Sequence, residues 1–282
     1  MAGDLRTRAV LAPTMLLLVG GIYWADLNQV FGVKQGALSA GVLGFLGLVA
    51  IMEYTAMLRS AGFTVARRPL LLIAAALHGM AFALGWSNLD RELYPLVGMT
   101  MLLFVPMSLN SLTRQGMGRG LEEQGATLLG FIFISWPMYF GQGICFRHLP
   151  SLLFVVLVCK GGDIGGYVFG RLFGRHKLIS HISPGKTIEG ALGSLVLSVL
   201  LAMWLQSWLL DDLQMSLWLA AVIGAILNFT TQTGDLVESL LKRRCGVKDS
   251  SHLLPAHGGV LDLVDSLLFS FAVWFLVLAW LT

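Results

Sequence analysis

Two carboxylates spaced three residues apart open the last apolar segment of the chain. Asp262 and Asp265 follow the turn His257, Gly258, Gly259 and precede a long run of apolar residues. Residues at i and i+3 share one face of a helix, so the two carboxylates repel each other unless a cation or bases neutralise them. Mg²⁺ typically takes one or two carboxylates together with substrate phosphates. The pair therefore predicts a magnesium site, with a neutralised carboxylate pair or salt bridges to Lys186 or Lys248 as the structural alternatives.

A second group of ionisable residues closes the preceding apolar segment. Asp235, Glu238 and Lys242 stand at i, i+3 and i+7 and share one helical face. Glu238 and Lys242 form a favourable i, i+4 pair, whereas Asp235 lies deepest in the segment and no base precedes it locally. An ionised Asp at the centre of a membrane helix costs about 3 kcal/mol. Asp235 is therefore the member of this group that we expect to have a function.

A third group, Ser183-Pro184-Gly185-Lys186-Thr187-Ile188-Glu189-Gly190, precedes another apolar segment. Ser183 is a favourable N-cap and Pro184 suits the first helical position, so the sequence predicts a helix that begins here. The free N–H groups of such a helix start, with Lys186 and the Thr187 hydroxyl, could bind a phosphate. It is not a Walker loop, because Ser180 stands where that motif requires Gly. The alternative is an ordinary capped helix whose Lys186 reaches the membrane surface.

The composition indicates a polytopic membrane protein. Of the 282 residues, 56% are hydrophobic and 12% are charged, and the mean hydropathy is +0.77. We predict an all-α fold with an N-terminal membrane region at 1–150, which contains about five spans, and a C-terminal catalytic membrane region at 151–282. Since a span needs about 20 apolar residues, the sequence predicts about nine: 9–25, 37–58, 69–87, 92–110, 125–146, 150–170, 187–210, 215–240 and 258–281.

The basic residues alternate between loops, which predicts the orientation of the chain. If the N-terminus is cytoplasmic, only Lys34, Arg91 and Arg147 fall on the outer side. The bases on the cytoplasmic side are Arg6, Arg8, Arg59, Arg67, Arg68, Arg114, Arg119, Arg171, Arg175, Lys177, Lys186, Lys242, Arg243, Arg244 and Lys248. This asymmetry supports an odd number of spans and a cytoplasmic N-terminus. A net charge of +3 gives little reason to expect a nucleic-acid partner.

Several other residues are more typical of packing than of chemistry. Glu53 interrupts the second apolar segment near its cytoplasmic end, and we interpret it as an interfacial carboxylate paired with Arg59, with a catalytic role as the alternative. The three cysteines lack CxxC or metal-ligand spacing, and His257 has no second His or Cys at zinc spacing. Small residues recur every four positions at Gly166, Gly170 and Gly174. Such a stripe allows close helix approach, within the chain or in a homodimer.

Together these groups resemble the CDP-diacylglycerol synthase family, also called phosphatidate cytidylyltransferases. The C-terminal pattern of that family is matched here at Ser239, Lys242, Arg243, Lys248, Asp249, His257, Gly258, Gly259, Asp262 and Asp265. The stretch from Ser183 to Gly190 and the stretch from Asp163 to Tyr167 resemble two further family blocks, in the expected order. One position departs from the pattern: the family has Arg between the two final Asp residues, where this chain has Leu263.

The resemblance implies the reaction CTP + phosphatidate → CDP-diacylglycerol + pyrophosphate, at a cytoplasm-facing site of the bacterial inner membrane and among membrane lipids. It implies Mg²⁺, with a second cation left open, and the metal ligands Asp163, Asp235, Asp262 and Asp265. Lys248 joins Asp235, Asp262 and Asp265 as a catalytic residue. The expected substrate-binding residues are Ser183, Lys186, Thr187, Glu189, Lys242, Arg243, His257, Gly258 and Gly259.

Leu263 leaves open a CTP-using enzyme that acts on another lipid. A polyprenol kinase, or a cytidylyltransferase for a different lipid phosphate, would share the phosphate-binding and metal-binding groups. An ion-coupled transporter is an alternative from another class, because buried acids also mark ion pathways. Against a transporter, the ionisable residues gather toward one face and not at the midplane, and inverted repeats are not apparent in the sequence.

Overall fold

The structure is a computed structural model that describes residues 19–84, 86, 89–110, 117–180, 182–254 and 258–282. Residues 19–27 are helical. The helices that follow are α1 (Ala37–Ser60), α2 (Arg67–Met80), α3 (Leu89–Asn110), α4 (Met117–Gly130), α5 (Trp136–Arg147), α6 (Leu149–Phe173), α7 (Ile188–Leu209), α8 (Leu217–Arg244) and α9 (Val260–Leu281). A π-helical turn at Phe131–Ser135 joins α4 to α5, and a 3-10 turn at Asp211–Leu213 follows α7.

Seven helical stretches within the described residues are long and apolar enough to cross a membrane, which confirms the predicted polytopic, essentially all-helical class. They are Ala37–Ser60, Arg91–Leu109, Gly120–Arg147, Leu149–Phe173, Ile188–Leu209, Leu217–Arg244 and Val260–Leu281. Most of the predicted span 9–25 lies outside the described residues, as do Arg6, Arg8 and Arg114. The predicted span 69–87 forms the 14-residue helix α2. A helix of this length is roughly 21 Å long, whereas the hydrocarbon core of a bilayer is about 30 Å thick.

The described chain forms two compact units. The first consists of residues 1–147 and 245–263, and the second of residues 148–244 and 264–282. The C-terminal segment thus contributes to both units, and the functional division predicted at residue 150 stays a prediction.

Buried polar contacts tie the helices of the first unit together. Gln142 of α5 donates to the carbonyl oxygen of Ala40 in α1 at 3.0 Å, and its Oε1 lies 2.8 Å from Nδ1 of His78 in α2. Gly44 of α1 lies directly against Gln142. A buried amide costs little only when its hydrogen bonds are made, so Gln142 fixes the relative positions of three helices.

Close contact between α6 and α7 forms the frame of the second unit. The carbonyl oxygen of Gly166 would lie 2.8 Å from a Cβ added to Gly190 of α7, and Gly170 faces the same residue. One turn further along the same face of α7, the side-chain amide of Asn228 in α8 donates to the hydroxyl of Ser194. Gly166 and Gly170 of the predicted glycine stripe therefore pack against α7 within the chain, and the homodimer stays a prediction.

The helix start predicted at Ser183 is wrong. Ser183–Thr187 forms strand β2, which pairs antiparallel with β1 (Lys177–Ile179). Helix α7 begins at Ile188, and its N-cap is Thr187, whose hydroxyl accepts a hydrogen bond from the N–H of Gly190 at 3.1 Å. Pro184 is tolerated because a strand in a two-stranded sheet is an edge strand. Pairing with β1 keeps the segment extended, and Thr187 supplies the capping oxygen that was expected from Ser183.

Candidate active site

Three carboxylates converge where α8 and α9 meet in the second unit. Asp235 and Glu238 lie one turn apart on α8, and Asp265 lies on α9; ligand oxygens of the three approach within 4.8 Å of one another. Glu238 and Asp265 are buried, and Asp235 is half-buried. We call Asp235, Glu238 and Asp265 the acidic cluster. Sequence reasoning assigned Glu238 only to an ion pair with Lys242, although its spacing from Asp235 was the signal for a place in this cluster.

Gly234 makes the meeting of the two helices possible. A Cβ at this position would lie 2.4 Å from the backbone carbonyl oxygen of Asp265, a separation that real Cβ atoms essentially never show. The distance between the carboxylates of α8 and that of α9 is therefore set by direct contact between the two backbones.

We predict that Gly234→Ala lowers the melting temperature of the purified protein. The added methyl group must push α8 away from α9, and overpacking of this kind costs about 1 to 3 kcal/mol. Gly79→Ala in α2 is the matched control, because nothing lies within 4 Å of a Cβ at that position. The control should be neutral or slightly stabilising, since Ala is the better helix former. Equal melting temperatures for the two variants would contradict the contact.

Lysines lie against the carboxylates of the second unit. Nζ of Lys186 is 2.7 Å from Oδ2 of Asp235, and Lys242 forms the predicted i, i+4 ion pair with Glu238. Asp265 accepts a hydrogen bond from the N–H of Ser266. Because three carboxylates here face two ammonium groups, the acidic cluster and these lysines carry a formal charge of −1.

Asp163 lies on α6 with its own lysine. Nζ of Lys160 is 3.7 Å from Oδ2 of Asp163 and donates to the hydroxyl of Ser266 at 2.7 Å. Lys160 therefore connects Asp163 to the residue that follows Asp265. Asp163 is not a member of the close carboxylate group found among the described residues.

The β1–β2 hairpin carries Lys186 and is fastened to α8. The guanidinium Nε of Arg243 donates to the carbonyl oxygen of Ile182 at 3.3 Å, and Nζ of Lys177 donates to that of Pro184 at 2.8 Å. Glu189 accepts hydrogen bonds from the N–H groups of Arg175 and His176, and so holds the chain that enters the hairpin. Ser183, Lys186 and Thr187 thus belong to one structured connection between α6 and α7, and Glu189 in the first turn of α7 holds its start.

Asp262 lies in the first unit, where it organises the start of α9. Its Oδ2 accepts hydrogen bonds from the N–H of Gly259 at 2.7 Å and from both the N–H and the hydroxyl of Ser250, at 2.8 and 2.7 Å. A side chain at N3 that reaches back to the N-cap N–H is half of a capping box. Gly258 has φ +84°, which favours Gly. His257 lies outside the described residues.

Glu53 has a structural role that the sequence did not reveal. Its buried carboxylate accepts hydrogen bonds from the N–H groups of Val260 and Leu261, at 3.0 and 2.8 Å, and from the hydroxyl of Ser251 at 2.6 Å. The expected pairing with Arg59 is replaced by these contacts, because a residue six positions further along a helix points to a different face. A carboxylate at a helix N-terminus is stabilised by the helix dipole and the free N–H groups, so Glu53 anchors the loop before α9 to α1.

The predicted site residues divide between the two units. Those in the second unit are Asp163, Ser183, Lys186, Thr187, Glu189, Asp235, Lys242, Arg243 and Asp265. Those described in the first unit are Lys248, Gly258, Gly259 and Asp262. Lys248 is exposed in the loop before α9.

Carboxylates inside apolar helices, with lysines paired to them, define an integral membrane protein with a site for a charged substrate. The chain belongs to the cytidylyltransferase family, whose sequence profile matches residues 7–281. It is 38% identical over 186 residues to the phosphatidate cytidylyltransferase of Staphylococcus saprophyticus, and this alignment spans 65% of this chain and 68% of the relative. It is 48% identical over 121 residues to that of Staphylococcus epidermidis, an alignment that spans 43% of this chain and 46% of the relative. It is 32% identical over 238 residues to that of Mycobacterium tuberculosis, an alignment that spans 82% of this chain and 72% of the relative.

Proposed function

We propose that this chain transfers the cytidylyl group of CTP to phosphatidate and releases pyrophosphate. The proposal rests on membership of the cytidylyltransferase family over residues 7–281 and on relatives named phosphatidate cytidylyltransferase at 32–48% identity. The structural observation that carries it is the acidic cluster with Lys186 and Lys242 against it. We place the reaction at the cytoplasmic face of a bacterial inner membrane, because the expected orientation puts both lysines on that side.

To catalyse this reaction, the site must mainly neutralise negative charge and position the two substrates. A phosphate oxygen of phosphatidate forms a bond to the α-phosphorus of CTP, and the bond from that phosphorus to the oxygen bridging to the β-phosphate breaks. A phosphate monoester is already anionic at neutral pH, so a strong base is not needed. Two anions must instead be held together while negative charge develops on the leaving pyrophosphate.

Lysines and arginines of this chain would hold the phosphates. Lys186 and Lys242 lie beside carboxylates, and an ammonium group can exchange a carboxylate for a phosphate oxygen, since both form charge-assisted hydrogen bonds. The exposed residues Arg243 and Lys248 are further candidates for phosphate contact. Thr187 is buried as the N-cap of α7, so we assign it the positioning of Lys186, its neighbour in β2.

The acidic cluster fits a hard divalent cation, for which we propose Mg²⁺. Asp235, Glu238 and Asp265 offer carboxylate oxygens only, which is the donor set that Mg²⁺ prefers. Three neighbouring carboxylates also exceed the charge of the two lysines paired with them. When bound, such a cation neutralises phosphate charge and orients the triphosphate.

Removal of divalent cations is predicted to abolish transfer and to lower thermal stability. Excess EDTA should reduce activity to background, and added Mg²⁺ should restore it. Because a ligand that binds only the folded state stabilises it by mass action, Mg²⁺ at about 100 times its dissociation constant should add about 2.7 kcal/mol. The melting temperature in detergent with and without Mg²⁺ measures this effect. Full activity in EDTA would contradict the metal assignment.

The decisive test of the reaction uses purified protein, labelled CTP and a panel of lipid phosphates. Release of pyrophosphate with formation of CDP-diacylglycerol from phosphatidate is the expected result. Release of CDP would indicate a lipid kinase, and turnover only with another lipid phosphate would change the substrate. Leu263→Arg, assayed in parallel, shows whether the departure from the family pattern alters the preference.

A further inference from the structure

An open groove of about 760 Å³ lies in the first unit between α2, α3 and the end of α1. Its lining has two parts. Arginines from α1 and α2 form one end: Arg59, Arg67 and Arg68. Apolar side chains of α2 and α3, among them Leu72 and Leu102, form the rest. The acidic cluster contributes none of the lining residues.

The basic end of the groove has the chemistry of an anion site. Arg59 and Arg68 are exposed and Arg67 is half-buried, and within the described residues none of the three side chains forms a hydrogen bond or an ion pair. One carboxylate, that of Glu123, also lines the groove, so the net formal charge of these lining residues is positive. The guanidinium group matches the geometry of a phosphate and can bind it with two parallel hydrogen bonds.

The start of α2 adds an independent reason to expect an anion there. Arg67 and Arg68 occupy the first turn of this helix, which holds no acidic residue, although the N–H of Ala66 already donates to the hydroxyl of Thr127 at 3.0 Å. Two cations therefore sit at the positive end of the helix dipole, an unfavourable arrangement that an anion bound by the two guanidinium groups would relieve.

The apolar part of the groove decides what kind of anion fits. Leu72 is 72% exposed and Leu102 is 58% exposed, on helices that lie in a membrane protein. A small soluble phosphate would occupy only the basic end of the groove, whereas a bilayer lipid would place its phosphate there and its acyl chain against the apolar part. The basic end belongs to the side that the charge asymmetry assigns to the cytoplasm, where anionic lipids are found.

We propose that this groove binds an anionic phospholipid of the cytoplasmic leaflet. The lipid phosphate binds Arg59, Arg67 and Arg68, and an acyl chain lies along Leu72 and Leu102. The site is separate in composition from the acidic cluster, and the inference does not rest on the proposed reaction, since its test measures lipid binding and not turnover.

Native mass spectrometry of the detergent-solubilised full chain with phosphatidylglycerol tests the site. Arg67→Gln/Arg68→Gln should weaken binding about 30-fold, as expected for two arginines that each contribute to anionic-lipid binding. The matched control is Arg171→Gln/Arg175→Gln, which removes the same charge from exposed positions at the end of α6. The control should bind phosphatidylglycerol like the parent. Equal weakening in both variants, or in neither, would overturn the proposal.

A second comparison separates a lipid from a soluble phosphate. Glycerol 3-phosphate carries the phosphate without acyl chains, so it should not displace phosphatidylglycerol, and phosphatidylcholine should bind more weakly to the parent. Leu102→Asn should weaken phosphatidylglycerol binding while the melting temperature stays near that of the parent, because Leu102 is largely exposed. Displacement by glycerol 3-phosphate, or unchanged binding by Leu102→Asn, would refute a lipid site.

Discussion

Asp265→Asn should reduce cytidylyl transfer by about 100- to 1,000-fold, the range seen when one preorganised electrostatic group is removed from an active site. Asp265 is the only member of the acidic cluster that α9 contributes, and it is buried. Asn has nearly the same shape but lacks the charge that would hold a divalent cation. The Mg²⁺ concentration for half-maximal activity should therefore rise, and the stabilisation of the protein by Mg²⁺ should be lost.

Asp262→Asn is the matched control for this prediction. It removes a carboxylate charge from the same helix, but Asp262 is engaged by Ser250 and Gly259 at the helix start. We expect this variant to lose activity because the loop before α9 is disturbed, while its activity depends on the Mg²⁺ concentration as that of the parent does. A raised Mg²⁺ requirement in Asp262→Asn, with none in Asp265→Asn, would restore Asp262 as the ligand that the sequence predicted and would refute the acidic cluster.

Glu53→Ala should destabilise the protein by roughly 3 kcal/mol or more, because each buried donor left without an acceptor costs about 1 to 3 kcal/mol. The substitution leaves the N–H groups of Val260 and Leu261 and the hydroxyl of Ser251 without their acceptor. The loop before α9 should then become sensitive to protease. Glu53→Gln keeps the size and one acceptor oxygen, so it should fall between Glu53→Ala and the parent. Melting temperature and limited proteolysis measure both effects.

Glu122→Ala is the control for the Glu53 substitutions. Glu122 is exposed in α4 and accepts one hydrogen bond, from the N–H of Thr64 at 3.1 Å. Its removal should change stability by less than about 1 kcal/mol. If Glu53→Ala and Glu122→Ala melt together, Glu53 does not anchor the loop.

Features that depend on residues close in sequence were predictable. The Glu238–Lys242 ion pair, the close approach of helices at the glycine stripe and most of the apolar helices follow from helical periodicity, and the structure confirms them. The interpretation of Ser183 as the start of a helix was wrong, although it also rested on residues close in sequence. A Ser before a Pro suits a helix start, but here the pairing of β2 with β1 decides the conformation.

Contacts between remote segments were beyond the sequence. Lys186 of the hairpin contacts Asp235 of α8, and Glu53 contacts Val260, which is 207 residues away in the sequence. Neither contact has a periodic signature, because each depends on how separate helices pack. Charge inside an apolar segment indicated that Asp235 and Glu53 needed partners, but only the packed structure identifies those partners.

The contact at Gly234 has a consequence for the choice of cation. Because the backbones of α8 and α9 touch there, the carboxylates of the acidic cluster cannot move apart by much without separating two helices. A site of fixed width selects ions by radius. Mg²⁺ binds oxygen at about 2.0–2.1 Å, whereas Ca²⁺ requires about 2.3–2.6 Å and more ligands. We therefore expect Ca²⁺ to occupy this site poorly, and Gly234→Ala to reduce the discrimination between the two ions.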